Sequence, residues 1–337
     1  MHAIRGTAMA EAQYGLGIDF GGTKVLAGVV ERETGKVVAT AKKRTNAADD
    51  ADQMMSRLYA VAEDALKSAK LKASDLAGIG VGLAGQIDER GEVLLGAPNL
   101  SQSTVNLPMA ALLTERFGVP AGLRNDVQVA AIGEAAFGAG VGIADFLCVF
   151  VGTGIGGAIV RDGEVIPGSA GSAGEIGHMI VDANGRLCGC GGRGHLEAYA
   201  SRTAITKSIL GDIRRGQTTL LAEGLAEAKA DEPGGGAIRS GQLSKAIDAG
   251  DKLAIDTLTE AGRYLGYGLA SAINLLNPAR IVMGGGVIEA VDLIFAVAAE
   301  TARREALQTP AAAVEIVRAG LGDNSGIVGA AIMTRRS

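Results

Sequence analysis

This chain holds only three histidines and three cysteines, and two of each fall within the stretch HMIVDANGRLCGCGGRGH, from His178 to His195. They run in the order His178, Cys188, Cys190, His195, a spacing of H-x9-C-x-C-x4-H. Two thiolates and two imidazoles make a tetrahedral donor set suited to zinc, and four protein ligands leave no open position, so such a metal is structural. The competing readings are a metal-free loop with two free thiols, or a redox C-x-C. The second is disfavoured because no thioredoxin-like βαβ pattern surrounds it. Cys148 sits in the apolar run FLCVFV and reads as core.

Three glycine-rich turns form a second constellation: Gly21-Gly22-Thr23-Lys24, the GTGIGG run from Gly152, Thr153 and Gly154 to Gly157, and Gly284-Gly285-Gly286. Glycine lets backbone N–H groups approach an anion with no Cβ in the way. One such turn is weak evidence; three on separate strands point to one bound nucleotide. GTGIGG matches the dinucleotide pattern G-x-G-x-x-G, but that pattern needs a helix after the glycines. The next residues, AIVRDGEVI, are rich in β-branched side chains and turn at Asp162-Gly163. The GTGIGG turn therefore belongs to a hairpin, and the candidate is a nucleotide fold that uses β-hairpin turns. Lys24 taken alone reads first as a solvated turn lysine and second as a phosphate contact, and Asp19 reads equally as a water-mediated magnesium ligand or a strand-end aspartate. Asp126 follows Asn125 and precedes the small-residue helix VQVAAIGEAAFG. A helix N-terminus keeps such a carboxylate ionised and oriented, as a base requires; capping the helix is its other available role.

These residues need elements to place them. LGIDF (16–20), VLAGVV (25–30) and KVVATAKKRT (36–45) read as a three-strand meander. From Asp50 to Lys70, residues Met54, Leu58, Val61, Ala62, Ala65 and Leu66 fall at helical spacing. LAGIGVGL (76–83) reads as a buried strand and 108–117 as a helix. The opening pattern then returns as FLCVFV (146–151), GTGIGG and AIVRDG (158–163), which points to duplication of one α/β domain. A long helix from Asp251 to Leu276 stops at Asn277-Pro278. Residues 279–290 read as strand, glycine turn and helix, and a last helix at about 325–334 returns to the first domain. The expected domains are 1–125, small and α/β, completed by a C-terminal helix at about 325–337, and 126–324, larger and carrying the 178–195 loop. A length of 337 residues suits two domains. A net charge of −5 without a basic run argues against a nucleic-acid partner. No apolar run reaches membrane-spanning length, and MHAIRGTAMA lacks a signal-peptide core. Scarce cysteine fits the reducing cytoplasm. Residues 1–14 read as a short tail, with Met9 an alternative start.

In order and spacing, DFGGTK, RNDVQVAAIGEAAFGAG, VGTGIGGAIV, GEIGH and CGCGGRGHLEAYAS resemble the ROK family of sugar kinases and repressors, from about Gly15 to Gly329. The resemblance implies a duplicated actin/hexokinase-like (ribonuclease H-like) α/β fold, two domains around a cleft that holds ATP and, deeper, a sugar. It implies ATP and Mg2+ at Asp19, Gly21, Gly22, Thr23, Lys24, Gly152, Thr153, Gly154, Gly284, Gly285 and Gly286. Asp126 becomes the catalytic base, and Gly85, Asn125, Asp126, Glu175, His178 and Glu197 contact the sugar. The family's cysteine-rich loop binds a structural zinc, usually through one His and three Cys. Here His195 replaces the third Cys, so the implied ligands are His178, Cys188, Cys190 and His195. Family repressors carry an N-terminal helix-turn-helix domain, for which a first phosphate motif near Leu16 leaves no room. The expected activity is ATP-dependent phosphorylation of a hexose, foremost glucose to glucose 6-phosphate, in a cytoplasmic homodimer or homotetramer. The runner-up is a kinase of N-acetylglucosamine or N-acetylmannosamine. A fructokinase fits less well, since that branch carries a different Cys/His pattern. A non-catalytic sugar sensor is the alternative of another class, and polyphosphate an alternative donor. PNLSQSTVNLP (98–108) lacks the aromatic residue that family glucokinases often carry after PNL.

Overall fold

The computed structural model describes residues 12–21, 24–45, 49–97, 100–222 and 238–334. Most of the expected N-terminal tail, Gly22 and Thr23 of the first glycine turn, and Pro98 and Asn99 of the PNL segment lie outside the described residues. The chain divides into two compact units, Met1–Val129 with Gly326–Ser337, and Ala130–Ser325.

In the first unit β1 (Tyr14–Phe20), β2 (Lys24–Glu31) and β3 (Val37–Arg44) form the antiparallel meander. β4 (Leu76–Leu83) adds parallel to β1, and β7 (Ala121–Asn125) parallel to β4, giving the order β3-β2-β1-β4-β7. β5 (Gln86–Ile87) and β6 (Leu94–Gly96) make a separate hairpin. Helix α1 (Ala51–Ala69) starts at a capping box between Asp50 and Gln53 and ends at Lys70 in the left-handed conformation. Its apolar stripe, including Met54, Leu58 and Val61, packs into one core with Leu16, Ile18 and Val81. Helix α2 (Met109–Phe117) stops at Gly118, and α3 (Asp126–Phe137) begins directly where β7 ends.

Side chains alternate across a strand, and here the alternation separates two jobs. Leu16, Ile18, Ile79 and Val81 supply apolar bulk. The interleaved Gly15, Gly17 and Gly80 lie under the backbone of the C-terminal helix, Ser325–Met333. A Cβ on Gly17 would stand 1.8 Å from the carbonyl oxygen of Ile327, and one on Gly80 1.9 Å from that of Ala330. Only glycine lets the helix settle onto the strands at that distance.

The second unit repeats the plan. β8 (Phe146–Val151), β9 (Ile155–Arg161) and β10 (Glu164–Val165) form an antiparallel meander, and β11 (Arg280–Gly284) and β12 (Glu315–Arg318) add in parallel, in the order β10-β9-β8-β11-β12. Its helices are α4 (Glu197–Ala200), α5 (Arg202–Arg214), α6 (Ser240–Asp248), α7 (Lys252–Leu276), α8 (Gly286–Ala290), α9 (Asp292–Glu305) and α10 (Gln308–Ala313); α11 is Ser325–Met333. Asp251 caps α7 through the Ala254 N–H at 3.0 Å, and Asn277 ends it in the left-handed conformation before Pro278. Leu258, Leu265 and Leu269 of α7 share a core with Val149, Ile281 and Met283 of the sheet and Ile294 and Ala298 of α9. Cys148 is fully buried in β8, and burial, helped by the Glu134 charge, holds its thiol protonated. It is a core residue, as its apolar run indicates. Among the described residues no helix is long and apolar enough to cross a membrane.

Candidate nucleotide, sugar and metal sites

Within the first unit, Gly21 donates its N–H to the Lys24 carbonyl at 3.0 Å, closing the turn between β1 and β2. Asp19 stands in β1 between Leu26 and Gly82. A Cβ on Gly326, in the first turn of α11, would lie 3.4 Å from the Asp19 Cγ. Gly85 sits under the β5–β6 hairpin, where a Cβ would come 2.9 Å from the Gly96 carbonyl oxygen.

Asn125 and Asp126 divide two roles that both residue types could fill. The Asn125 Oδ1 accepts from the N–H groups of Val127 at 2.9 Å and Gln128 at 3.3 Å, so Asn125 caps α3. Asp126 is the first helical residue, and its Oδ1 accepts from the Val127 N–H at 2.9 Å. Burial raises its carboxyl above the usual aspartate range, and the backbone hydrogen bonds offset this in part. A carboxylate with raised proton affinity at a strand end is what a general base requires.

Within the second unit, the Gly152 N–H donates to the Gly154 carbonyl at 2.9 Å and closes the β8–β9 turn. Gly152 has open space where its Cβ would be. The start of α5 straps this turn down. The Arg202 N–H reaches the Gly152 carbonyl at 2.9 Å, the Thr203 hydroxyl the Thr153 carbonyl at 2.8 Å, and the Arg202 Nη2 the Thr153 hydroxyl at 2.7 Å. The third turn has a packing reason for its glycines. Gly285 has φ 87° with its Cβ position 2.6 Å from the Val151 carbonyl oxygen, and a Cβ on Gly284 would meet the Phe150 ring at 2.7 Å. Gly286 opens α8.

The loop from His178 to His195 is folded by its own backbone. Val181 donates to Gly194, Leu196 to Met179, Cys188 to Gly192 and Gly191 to Cys188. The Tyr199 hydroxyl accepts from the Arg186 N–H at 2.7 Å and donates to Asp182 at 2.8 Å. These bonds bring the four expected ligands together, with donor atoms all within 4.8 Å of one another. Cys190 Sγ lies 3.2 Å from His195 Nδ1, the two His Nδ1 atoms 3.4 Å apart, and Cys188 Sγ 4.0 Å from His178 Nδ1. Bonds of about 2.0–2.3 Å to a tetrahedral zinc separate neighbouring ligands by roughly 3.3–3.8 Å, so the donor set fits that ion. Burial lifts the Cys188 thiol to about 11, with the Cys190 backbone N–H opposing and Cys190 and Glu197 reinforcing the rise. A cation is the natural partner of two thiols and a carboxylate gathered this closely.

Glu197 ties this loop to the β8–β9 turn. One carboxylate oxygen accepts from the Ile155 N–H at 3.0 Å, and the other faces the Cys188 Sγ at 3.5 Å. Glu175 and His178 bracket a single 3-10 turn, Ile176–His178, with Glu175 exposed at its head. Two residues of the second unit escaped the sequence reading. Arg202 shows only as one basic residue at a helix start. Glu134 had a usable signal, a lone charge in the small apolar run AAIGEAAFG. It is fully buried and accepts from the N–H groups of Ala139, Gly320 and Leu321 and from the Ser325 hydroxyl, at 2.7–2.9 Å.

Comparison with known proteins adds four findings. The sequence model of the ROK family matches residues 15–337. The glucokinase of Streptomyces coelicolor is 32% identical over 323 residues, 95% of this chain and 97% of that protein. The xylose repressor of Caldicellulosiruptor bescii is 26% identical over 269 residues, 80% of this chain and 65% of the repressor. Among solved structures, the ROK family glucokinase from Streptomyces griseus in complex with glucose and AMPPNP superposes with a TM-score of 0.81 at 31% identity, covering 95% of this chain and 99% of that one.

Proposed function

The chain belongs to the ROK family of actin/hexokinase-like fold, and from that premise we propose that it is a sugar kinase that transfers the terminal phosphoryl group of ATP to glucose, giving glucose 6-phosphate. The observation that carries this reading is Asp126, relieved of capping by Asn125 and held at the first turn of α3 with raised proton affinity. A repressor needs sugar affinity but no base.

Phosphoryl transfer needs held phosphates, an aimed hydroxyl and an acceptor for its proton. The N–H groups of the turns at Gly21 and at Gly152, Thr153 and Gly154 receive phosphate oxygens, with Lys24 beside the first turn. Asp19 would hold the Mg2+ of the nucleotide. Glu175, His178, Glu197, Asn125 and the backbone at Gly85 take the sugar hydroxyls, groups costly to leave unpaired. Each carboxylate oxygen accepts more than one hydrogen bond, so Glu197 serves the Ile155 N–H and a hydroxyl together. Asp126 accepts the proton of the attacking hydroxyl, a role that typically contributes about 10²–10⁴-fold. His178, Cys188, Cys190 and His195 would hold a structural zinc, which would supply a clip on the loop from which the sugar contacts project. With Nδ1 of His178 toward the cluster, its Nε2 is left for a sugar hydroxyl.

The test is an initial-rate assay over glucose, mannose, fructose, N-acetylglucosamine and N-acetylmannosamine, with ATP or polyphosphate. Glucose with ATP should give the highest kcat/KM. A higher value for either N-acetylhexosamine moves the substrate to that class, and no turnover of any sugar defeats the kinase reading.

A further inference from the structure

Arg202 is placed where a cation is poorly served by the fold. It is the first residue of α5, at the positive end of the helix dipole, and the cap of that helix is already provided by the Ser201 hydroxyl, which accepts from the Ala204 N–H at 3.1 Å. Its Nε is buried and has no hydrogen-bond partner. No carboxylate pairs with it among the described residues, and burial alone moves its pKa, downward from the usual arginine value. A partly desolvated, uncompensated charge with an idle donor is costly unless something anionic arrives.

The neighbours say where that anion would sit. One guanidinium nitrogen, Nη2, donates to the Thr153 hydroxyl at 2.7 Å, which sets the plane of the fork against the β8–β9 turn. The backbone of the same residue is fastened to the Gly152 carbonyl at 2.9 Å, so the side chain is rooted on the turn that it overlies. Gly152 has open space where a side chain would be. A hydroxyl that accepts from an arginine still has its own proton to give. The Thr153 hydroxyl and the unengaged guanidinium donors therefore stand together on a turn whose Gly152 N–H is spent on the Gly154 carbonyl and whose Ile155 N–H is spent on the Glu197 carboxylate.

We propose that Arg202 is a phosphate-binding residue of the phosphoryl-donor site, its guanidinium gripping an oxygen of the donor's phosphate chain over the Gly152-Thr153-Gly154 turn. This rests on the kinase reading above. A guanidinium offers neighbouring donors in a fixed fork, which an ammonium group does not, so lysine is an incomplete substitute.

The test uses the full chain as parent, Arg202→Gln and Arg202→Lys, with calorimetric titration of AMPPNP, tripolyphosphate and glucose. Losing a charge-assisted hydrogen bond should weaken AMPPNP binding by Arg202→Gln at least ~10-fold. Arg202→Lys should recover part of it, and glucose affinity and Tm should stay at parental values. The affinity of Arg202→Gln for AMPPNP should also depend less steeply on salt, which a merely structural pin on Thr153 would not produce. A parallel loss for tripolyphosphate assigns the contact to the phosphate chain as such; a loss confined to AMPPNP assigns it to a nucleotide donor. Parental AMPPNP and tripolyphosphate affinities in Arg202→Gln overturn the proposal, as does an equal fall in glucose affinity and Tm. A parent that binds AMPPNP but phosphorylates no sugar defeats the kinase reading while the binding comparison still decides Arg202. A parent that binds neither phosphate probe overturns both.

Discussion

The two units share strand order and strand sense, yet the strand glycines under the C-terminal helix of the first and the β8–β9 turn glycine of the second serve different ends. In the first unit Gly15, Gly17 and Gly80 are filled space: the backbone of α11 occupies the positions where their side chains would be. In the second unit Gly152 borders open space on the β8–β9 turn, and the glycines from Gly185 to Gly194 belong to a loop inserted after β10 that gathers four metal-type donors. One copy of the plan is consolidated into a scaffold that carries two carboxylates of the proposed site, Asp19 on β1 and Asp126 where the last strand becomes a helix. The other copy is elaborated into turns and loops that present several polar groups. Duplication therefore does not divide the chemistry evenly, and each kind of glycine predicts a different response to substitution.

The largest effect belongs to the Asp126 carboxylate. Asp126→Asn should lower kcat by about 10²–10⁴-fold while glucose affinity, read by calorimetry, stays within a few-fold. The ionised base is the active form and burial raises its pKa. Activity should therefore fall as pH falls through that raised value, and the acid limb of kcat/KM should lie above the usual aspartate range. Turnover within a few-fold of the parent removes Asp126 from the mechanism.

Next in size is the buried Glu134, which joins α3 to the segment 320–325. Glu134→Ala leaves four donors without their acceptor, at a cost of about 3 kcal/mol or more in urea unfolding. An unchanged unfolding midpoint would show those donors find water instead. A smaller effect is expected at the metal loop. His195→Ala should lose the zinc and weaken glucose binding about 10–100-fold, whereas His195→Cys should keep both, because either side chain completes a tetrahedral set. One zinc per chain in the alanine variant, by elemental analysis, would exclude His195 as a ligand. The smallest pair sharpens the contrast between glycines. Gly17→Ala should destabilise by about 1–3 kcal/mol because a backbone oxygen stands in the way. Gly152→Ala should stay within about 0.5 kcal/mol and be felt in the donor KM alone.

Much of this was legible in the sequence because it is local. Leu16 to Val30 announces a hairpin, and Met54 to Leu66 a helix face. The Cys/His loop announces itself by the scarcity of both residue types elsewhere. What stayed hidden depends on distant partners. The glycines of LGIDF and GIGVG read as buried strands, but their reason is a helix at the far end of the chain, Gly17 meeting Ile327 and Gly80 meeting Ala330. Arg202 gains meaning only beside Thr153, and Glu134 only beside Gly320, Leu321 and Ser325. Asn125 and Asp126 both suit a cap by residue type, and only hydrogen-bond geometry separates cap from base.

The most direct measurement is 31P NMR of the full chain with Mg-ATP and glucose. The predicted result is loss of the ATP terminal phosphate signal only when glucose is present, with stoichiometric growth of the glucose 6-phosphate resonance. ATP that persists unchanged beside glucose, in protein shown by calorimetry to bind both, would contradict the assignment of this chain as a hexose kinase.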